Sequence, residues 1–223
     1  MYSNTEENYL KAIFKLQEKN EEPVSTNSVA AMLNTKAASV TDMIRKLAAK
    51  KLIRYEKYKG VTLTEKGEGV AISTVRKHRL WEVFLYEKLK FGWDEVHEVA
   101  EQLEHIHSEL LIDKMDDFLG NPAHDPHGDP IPTKKGELKK SNLILLSALS
   151  PKRYAMMSGV VDHSAIFLKY LDKLGIALGK SLMVIEVNEF DGSVKIKVDK
   201  KKEVSVSKDV ARNILVKPKG QGE

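Results

Sequence analysis

Apolar side chains recur at helical spacing through the first 50 residues of the chain. The pattern predicts a helix over 5–18, a short helix that begins after a cap at Ser25 or Thr26, a turn at 34–35, a third helix, and then a β-hairpin around 59–60. The positions predicted to face inward are Tyr9, Leu10, Ile13, Phe14, Leu16, Val29, Leu33, Val40, Met43, Ile44 and Leu47. This order of elements is that of a winged helix-turn-helix.

The middle of the chain is predicted to be helical. A long helix runs from Thr64 to about residue 90, and two shorter helices occupy 94–119 with a break near 107–108. Residues 120–136 hold four prolines and three glycines, which predicts a loop. We expect this part of the chain to form a second, helical domain over 66–140, after a winged-helix domain over 1–65.

The hydrophobic period changes after about residue 148. A strand-like segment over 154–161 precedes a helix over 163–174, and alternating segments follow at 181–187, 193–198 and 203–206. These segments predict a small α+β or barrel-like module over 148–217. The fold class predicted for the whole chain is therefore mainly α, with a β-rich C-terminal domain.

Composition and charge narrow the possible functions. The 223 residues include no cysteine, which excludes disulfides, thiolate zinc sites and cysteine nucleophiles. We expect a cytoplasmic protein, because the N-terminus lacks the pattern of a signal peptide and the longest apolar runs are too short to cross a bilayer. The local net charge is +6 over 36–60 and −8 over 94–117. The first region suits an anionic partner and the second a cation, although both could be solvated helix faces.

The basic region has the properties of a DNA-reading surface. The residues predicted to point outward near the start of the third helix are Lys36, Ala38, Ser39, Thr41, Asp42 and Arg45, and those of the wing are Lys57, Tyr58 and Lys59. Small and polar side chains fit the major groove, while wing lysines suit phosphates. A winged helix that only binds other proteins is the alternative.

Imidazole and carboxylate side chains recur on one helix face in the acidic region. His97, Glu101, Glu104 and His105 lie at i, i+4, i+7 and i+8, within an arc of roughly 100°. Upstream, the long helix places His78 and Glu82 at i and i+4, and the proline-rich loop adds His124, Asp125 and His127. Such donors can bind a first-row metal ion. The segment HEVAE lacks the second histidine of H-E-x-x-H, which excludes a metalloprotease of that type.

The motifs resemble those of a known family. The segments ENYLKAIFKL, VTDMIRKLAAKKLIRYEKYKGVTLTEKG, RKHRLWEVFL and EVHEVAEQLEH are similar to N-terminal segments of the diphtheria-toxin-repressor family of iron- and manganese-dependent regulators. NPAHDPHGDPIP resembles the family's hallmark loop, and VVDHSAIFLKYLDKLGIALG resembles the start of its SH3-like C-terminal domain. The resemblance covers nearly the whole chain and is greatest to the longer manganese-sensing members.

The resemblance implies two neighbouring metal sites and a homodimer that represses metal-uptake genes by binding operator DNA. One implied site uses Glu82, Asp125, His127 and Asp162, with His78 and His97 close by, and the other uses Asn8, Glu101, Glu104 and His105. The candidate dimer residues are Trp81, Phe84, Leu85, Leu103, Ile106 and Leu110.

The metal expected at these sites is Mn²⁺, with Fe²⁺ as the alternative. Asp125 and Glu101 stand where family members that sense iron tend to carry cysteine, and hard oxygen donors suit Mn²⁺. Neither a membrane nor a small organic substrate is expected as a partner. Two other functions stay open, a helical carboxylate-bridged metalloenzyme and a metal-independent regulator or interaction module.

Overall fold

The computed structural model describes residues 2–20, 23–56, 59–138 and 142–218. The chain divides into two compact units, which we describe separately. Unit 1 comprises Met1–His78, Glu101–Ile112 and Pro132–Leu138, and unit 2 comprises Arg79–Ala100, Asp113–Ile131 and Lys139–Glu223. The helices are α1 Asn4–Asn20, α2 Thr26–Met32, α3 Ala37–Ala49, α4 Glu65–Glu87, α5 Val96–Leu103, α6 Glu109–Phe118, α7 Ala165–Leu174 and α8 Lys208–Ala211. The strands are β1 Ile53–Glu56, β2 Gly60–Leu63, β3 Ile144–Leu145, β4 Tyr154–Val160, β5 Ser181–Val187, β6 Val194–Val198, β7 Lys202–Val206 and β8 Ile214–Pro218.

Unit 1 contains the predicted winged helix. Helix α2 begins at the Ser25 cap, whose side chain accepts a hydrogen bond from the backbone N–H of Ser28. Strands β1 and β2 pair antiparallel, with Ile53 opposite Leu63, and Val24 adds a bridge to Val61. Side chains from α1, α2, α3, the hairpin and the start of α4 share one core, whose buried members are Tyr9, Leu10, Ile13, Phe14, Val24, Val29, Val40, Ile44, Leu47, Leu52, Ile53, Val61, Ala71 and Val75.

Unit 2 contains the β-rich C-terminal module. Its six-stranded sheet is antiparallel throughout, in the order β3-β8-β4-β5-β6-β7, and covers one core together with α7. The predicted strand over 154–161 and the helix over 163–174 are present with small shifts, the helix because Ser164 is its cap. Strand β8 was not predicted, although Ile214 and Val216 alternate with less buried neighbours. The expected fold class, mainly α with a winged helix and a β-rich C-terminal domain, is confirmed.

Among the described residues, no helix combines the length and hydropathy that a membrane-spanning segment requires. The borders proposed from the sequence, at 1–65, 66–140 and 148–217, stay a prediction.

The start of α4 is packed tightly against the chain that leads into the wing. The carbonyl oxygen of Leu52 accepts hydrogen bonds from the backbone N–H and the hydroxyl of Thr64, and the Thr64 hydroxyl oxygen accepts from the N–H of Gly67. A Cβ atom at Gly67 would lie 1.9 Å from the Leu52 oxygen, which is backbone and cannot turn away. Two residues later, a Cβ atom at Gly69 would meet nothing within 4 Å.

These two glycines make a matched pair for mutation. We expect Gly67→Ala to lower the free energy of unfolding by about 1–3 kcal/mol, because the added methyl overpacks the joint between wing and helix. Gly69→Ala should raise it by about 0.5–1 kcal/mol, because alanine favours an exposed helical position. Urea denaturation followed by circular dichroism measures both, and equal effects of the two substitutions would contradict the packing described here.

Candidate metal centre

The outer face of α3 carries the side chains predicted to read DNA. Val40, Ile44 and Leu47 are buried, as predicted, and Met43 is half-buried. Lys36, Ala38, Ser39, Asp42 and Arg45 are exposed and Thr41 is half-buried, while Lys59 is exposed beside Glu56 with their charged atoms 2.7 Å apart. Lys57 and Tyr58 lie outside the described residues. The predicted recognition surface is therefore open to a partner over all of its described positions on α3.

Several ionisable side chains of unit 1 lie close together. We call this group cluster A; its members are Glu7, Lys11, His78, Glu101, Glu104 and His105. Glu104 is fully buried, and its Oε2 lies 2.6 Å from His78 Nδ1. Lys11 Nζ donates to both oxygens of Glu104, at 2.6 and 2.8 Å, and to Glu101 Oε1 at 2.7 Å.

Helix α1 supplies a second carboxylate to cluster A. Glu7 Oε2 lies 2.7 Å from His105 Nδ1, and Glu7 is nearly as buried as Glu104. Neither Glu7 nor Lys11 was predicted from the sequence as a site residue. The next residue, Asn8, has a buried side-chain oxygen without a hydrogen-bond partner among the described residues. A buried acceptor without a donor is destabilising unless a cation or water satisfies it.

Unit 2 contains the group that we call cluster B, whose members are Glu82, His97, Asp125, His127 and His163. Glu82, Asp125 and His127 are buried and offer ligand atoms that all lie within 4.8 Å of one another. His97 Nδ1 lies 3.1 Å from Glu82 Oε1. The Nδ1 atom of His127, 3.5 Å from the same oxygen, has no hydrogen-bond partner among the described residues.

The proline-rich loop holds its two cluster B side chains through backbone contacts. The Oδ1 atom of Asp125 accepts from the N–H groups of His127 and Asp129, at 2.8 and 3.0 Å. Gly128 follows with a φ of +90°, and a Cβ atom there would lie 2.0 Å from the carbonyl oxygen of Ser158 on β4. Glycine is thus required where the loop crosses the strand. Arg79 also binds this loop, through Asp129 and the Pro130 carbonyl.

Burial and charge shift the titration of cluster B. Burial raises the pKa of the Asp125 carboxyl group, and the negative charges of Glu82 and Asp129 raise it further. Burial lowers the pKa of His127, but the adjacent Glu82 and Asp125 outweigh this effect and raise it to about 9. In the metal-free protein at neutral pH, His127 is therefore protonated, and a metal ion must displace its proton.

Two predicted residues, Asp162 and His124, are not in the donor groups that the structure brings together among the described residues. Asp162 accepts from the N–H of Ser164 at 2.8 Å, and among the described residues it is not part of the group formed by Glu82, Asp125 and His127. Its neighbour His163 instead stacks on His127, with ring centroids 4.7 Å apart. His124 is exposed and belongs to neither cluster. The roles of these residues as ligands stay predictions.

The residues present fit a divalent metal ion. Both clusters consist of oxygen and nitrogen donors, and each has an unpartnered buried atom at or next to the cluster, Asn8 Oδ1 and His127 Nδ1. Carboxylate and imidazole together suit Mn²⁺, Fe²⁺ and Zn²⁺. The fold and the site therefore define the class of protein: it has a winged helix together with buried clusters of carboxylate and imidazole groups.

Comparisons with known proteins agree with this class. Residues 1–61 match the N-terminal DNA-binding domain of iron-dependent repressors, and residues 64–133 match their metal-binding and dimerisation domain. Residues 144–218 match the FeoA domain, in agreement with the SH3-like prediction. The chain belongs to the iron-dependent repressor family, also called the diphtheria-toxin-repressor family. The family consists of transcription repressors and not of enzymes, so the metalloenzyme alternative is withdrawn.

Individual relatives include sensors of both metals. The chain is 35% identical to a manganese-dependent transcriptional repressor solved in complex with manganese, with a TM-score of 0.87 over 96% of this chain and 100% of that one. The manganese regulator SloR is 33% identical, with a TM-score of 0.77 over 96% and 98%. The iron-dependent repressor IdeR of Mycobacterium bovis is 34% identical over 129 residues, which are 58% of this chain and 56% of IdeR. The match thus spans about half the length of this curated relative.

The pKa shifts of cluster B predict a pH dependence of stability. Because the pKa values of Asp125 and His127 are both raised, the folded protein binds more protons than the unfolded chain. The stabilisation from Asp125 is lost as the pH rises from about 3.8 through about 8, and that from His127 as the pH rises from about 6.5 through about 9. In EDTA, the free energy of unfolding should fall by on the order of 2 kcal/mol between pH 6.5 and 9. Urea denaturation at several pH values measures it.

His127→Gln should reduce the slope of that dependence above pH 6.5, because glutamine does not titrate and only Asp125 is left to change its charge. The exposed His124, in the same loop, provides the control, and His124→Gln should leave the slope unchanged. A wild-type stability that stays level between pH 6.5 and 9 would show that the two groups are not perturbed as described.

Proposed function

We propose that this protein is a manganese-dependent transcription repressor that binds operator DNA as a homodimer and controls metal-uptake genes. The observation that carries the proposal is cluster A. It joins α1, which packs in the same core as the recognition helix α3, to Glu101, Glu104 and His105. A metal ion bound there would act on the packing of the DNA-binding unit itself.

Manganese is preferred over iron because of the donor atoms. Glu101 and Asp125 supply oxygen, and the sequence contains no cysteine that could supply a soft thiolate. Hard oxygen-rich sites suit Mn²⁺ and disfavour softer metals. The structures of manganese-dependent relatives support this choice, whereas the IdeR relative is named for iron. Fe²⁺ is therefore the alternative metal, and a DNA-binding experiment must distinguish it from Mn²⁺.

Two groups of residues are proposed to bind metal ions. The set proposed to hold it in cluster A is Asn8, Glu101, Glu104 and His105, joined by Glu7 and His78, which the structure adds. Cluster B would hold a second ion with Glu82, Asp125 and His127, beside His97. The ion supplies positive charge to carboxylates that repel one another. The ion in cluster A would thereby hold the ligands on α1 together with those on α5 and on the segment after α5.

Tying these elements together would select one arrangement of the DNA-binding unit. If metal favours the state that binds DNA, then DNA must tighten metal binding by the same factor. In a dimer, two recognition helices would face half-sites about one helical turn apart. Of the predicted dimer residues, Leu110 on α6 is 68% exposed and suits an interface, whereas Leu85 is buried in its own chain. We expect the protein to act in the cytoplasm, where operator DNA is within reach.

The main experiment measures metal-dependent DNA binding. Fluorescence anisotropy with DNA from upstream of a metal-uptake gene should show tight binding in Mn²⁺ and weak binding in EDTA. Fe²⁺ under anaerobic conditions is the comparison, and a stronger response to Fe²⁺ would assign the protein to iron. Glu104→Gln should weaken metal-dependent binding by at least about 10–100-fold, because it removes the central carboxylate of cluster A.

Glu109→Gln is the control for that substitution. Glu109 begins α6, five residues after Glu104, and is exposed outside cluster A. Its substitution should leave the metal response unchanged. DNA binding that is equal in Mn²⁺ and EDTA would contradict the metal switch, and normal metal-dependent binding by Glu104→Gln would contradict the assignment of the site.

The wing makes a separate prediction. Lys59 is exposed at the hairpin, and Lys59→Ala should weaken binding to all DNA sequences alike and reduce the slope of log affinity against log salt by about 1, as expected for one lost phosphate contact. Lys173→Ala, which removes an exposed lysine of α7, should leave the slope unchanged. Binding at several salt concentrations gives the slopes, and an unaltered slope for Lys59→Ala would exclude the wing contact.

A further inference from the structure

We propose that Lys11 is a built-in competitor of the metal ion, an ammonium group that neutralises Glu101 and Glu104 in the metal-free protein and must be displaced before metal can bind. The inference rests on the proposed function, since it concerns the same carboxylates. It assigns to Lys11 a role in setting the metal concentration at which the protein responds.

The contacts of Lys11 match the capacity of an ammonium group. Its Nζ carries three donors, and three carboxylate oxygens lie 2.6, 2.7 and 2.8 Å away, two from Glu104 and one from Glu101. The side chain of Lys11 is only 7% exposed and that of Glu104 is 0% exposed. The Lys11–Glu104 pair is thus withdrawn from water, whereas the side chain of Glu101 is 35% exposed. An ion pair on the surface would contribute little.

The same oxygen atoms are those that a metal ion would need. Both oxygens of Glu104 are engaged by Lys11, and Oε2 is also 2.6 Å from His78. A protonated amine has no lone pair and cannot become a ligand. Two cations close to the same buried oxygens repel each other strongly where water is excluded. Metal and the Lys11 ammonium are therefore mutually exclusive in this position.

The place of Lys11 on α1 links this exchange to the DNA-binding unit. Asn8 and Glu7 precede it by three and four residues, so all three lie on one side of the helix. In the metal-free protein, Lys11 anchors α1 to Glu101 and Glu104. Once metal is bound, Asn8 and Glu7 would attach α1 to the metal site in place of Lys11. The helix whose Leu10 and Phe14 pack in the core of the winged helix would thereby change its attachment.

Removal of the competing charge should tighten metal binding. We expect Lys11→Met to bind Mn²⁺ at least about tenfold more tightly than the wild type, because close buried charge pairs couple by more than the equivalent of tenfold. Free Mn²⁺ measured by electron paramagnetic resonance gives the affinity without recourse to DNA. Lys11→Arg, which keeps the charge, should stay within a few-fold of the wild type.

Lys50→Met is the matched control. Lys50 also pairs with a buried carboxylate of α1, Glu6, at 2.5 Å, but this pair lies outside cluster A. Its substitution should leave the affinity for Mn²⁺ unchanged. Equal or weaker binding by Lys11→Met, or equal tightening by Lys50→Met, overturns the proposal.

A measurement on the wild-type protein covers the case in which Lys11→Met does not fold. Acetic anhydride acetylates accessible lysine amines, and mass spectrometry of the digested protein reports each site. Lys11 should be protected in EDTA and acetylated at least about threefold faster in saturating Mn²⁺, because the ion releases its amine, whereas Lys50 should react equally in both. Protection of Lys11 that persists in saturating Mn²⁺ overturns the proposal.

A failure of the proposed function and a failure of the proposed role of Lys11 give different experimental results. If the wild type and every variant bind no Mn²⁺ or Fe²⁺, the proposed function is wrong, and the inference about Lys11 falls with it. If the wild type binds metal and responds on DNA while Lys11→Met binds no more tightly, only the role of Lys11 is wrong.

Discussion

A carboxylate that is withdrawn from water needs a cation, and Glu104 is such a carboxylate at the centre of unit 1. Lys11 and His78 both reach it, from α1 and α4, and His105 lies beside it with Nε2 3.8 Å away. The contacts of Lys11 and His78 thus join two other stretches of chain to the two carboxylate oxygens of Glu104. Whatever cation satisfies Glu104 therefore also decides how these segments are held together.

The burial of the Glu104 carboxylate explains why a metal site in the interior, at cluster A, differs in its effect from one on the surface. A surface cluster of carboxylates would bind metal without affecting the fold, because solvent screens its charges. In cluster A, the ion pairs hold α1, whose Leu10 and Phe14 pack in the same core as α3, so a change of cation would also change the stabilisation of the DNA-binding unit. This is the physical basis on which a metal ion could act as a signal.

Much of the fold and part of the site could be predicted from the sequence because they depend on period and spacing. The inward face of α3 follows from Val40, Ile44 and Leu47. Helical spacing also indicates that Glu101 and Glu104 share one side, but α5 ends at Leu103, and Glu104 lies in the turn after it, where both carboxylates contact Lys11. Lys11 could not be found in this way. A lysine on an amphipathic helix is ordinarily solvated, and only the tertiary packing that buries Glu104 turns it inward.

The choice between neighbouring residues was also beyond the sequence. VVDHS offers both Asp162 and His163, and the prediction took the carboxylate, by resemblance. In the structure the Asp162 carboxylate accepts a backbone hydrogen bond before α7, and the ring of His163 stacks on His127 instead. The local turn and its cap set these contacts, which helical or strand period does not encode, and the role of Asp162 as a ligand stays a prediction.

The two clusters differ in how firmly their basic side chain is held. Beside cluster B, Arg79 donates to the Pro130 carbonyl and to Asp129, which are not candidate ligands, and its Nε also lies 3.6 Å from Oδ2 of the candidate ligand Asp125. In cluster A, the Lys11 ammonium donates to Glu101 and Glu104, which are candidate ligands themselves. A planar guanidinium with fixed partners stabilises the loop that carries Asp125 and His127, whereas a compact ammonium on a flexible stem can leave. Under the proposed role of Lys11, cluster A would exchange one cation for another, whereas the loop of cluster B would keep its shape.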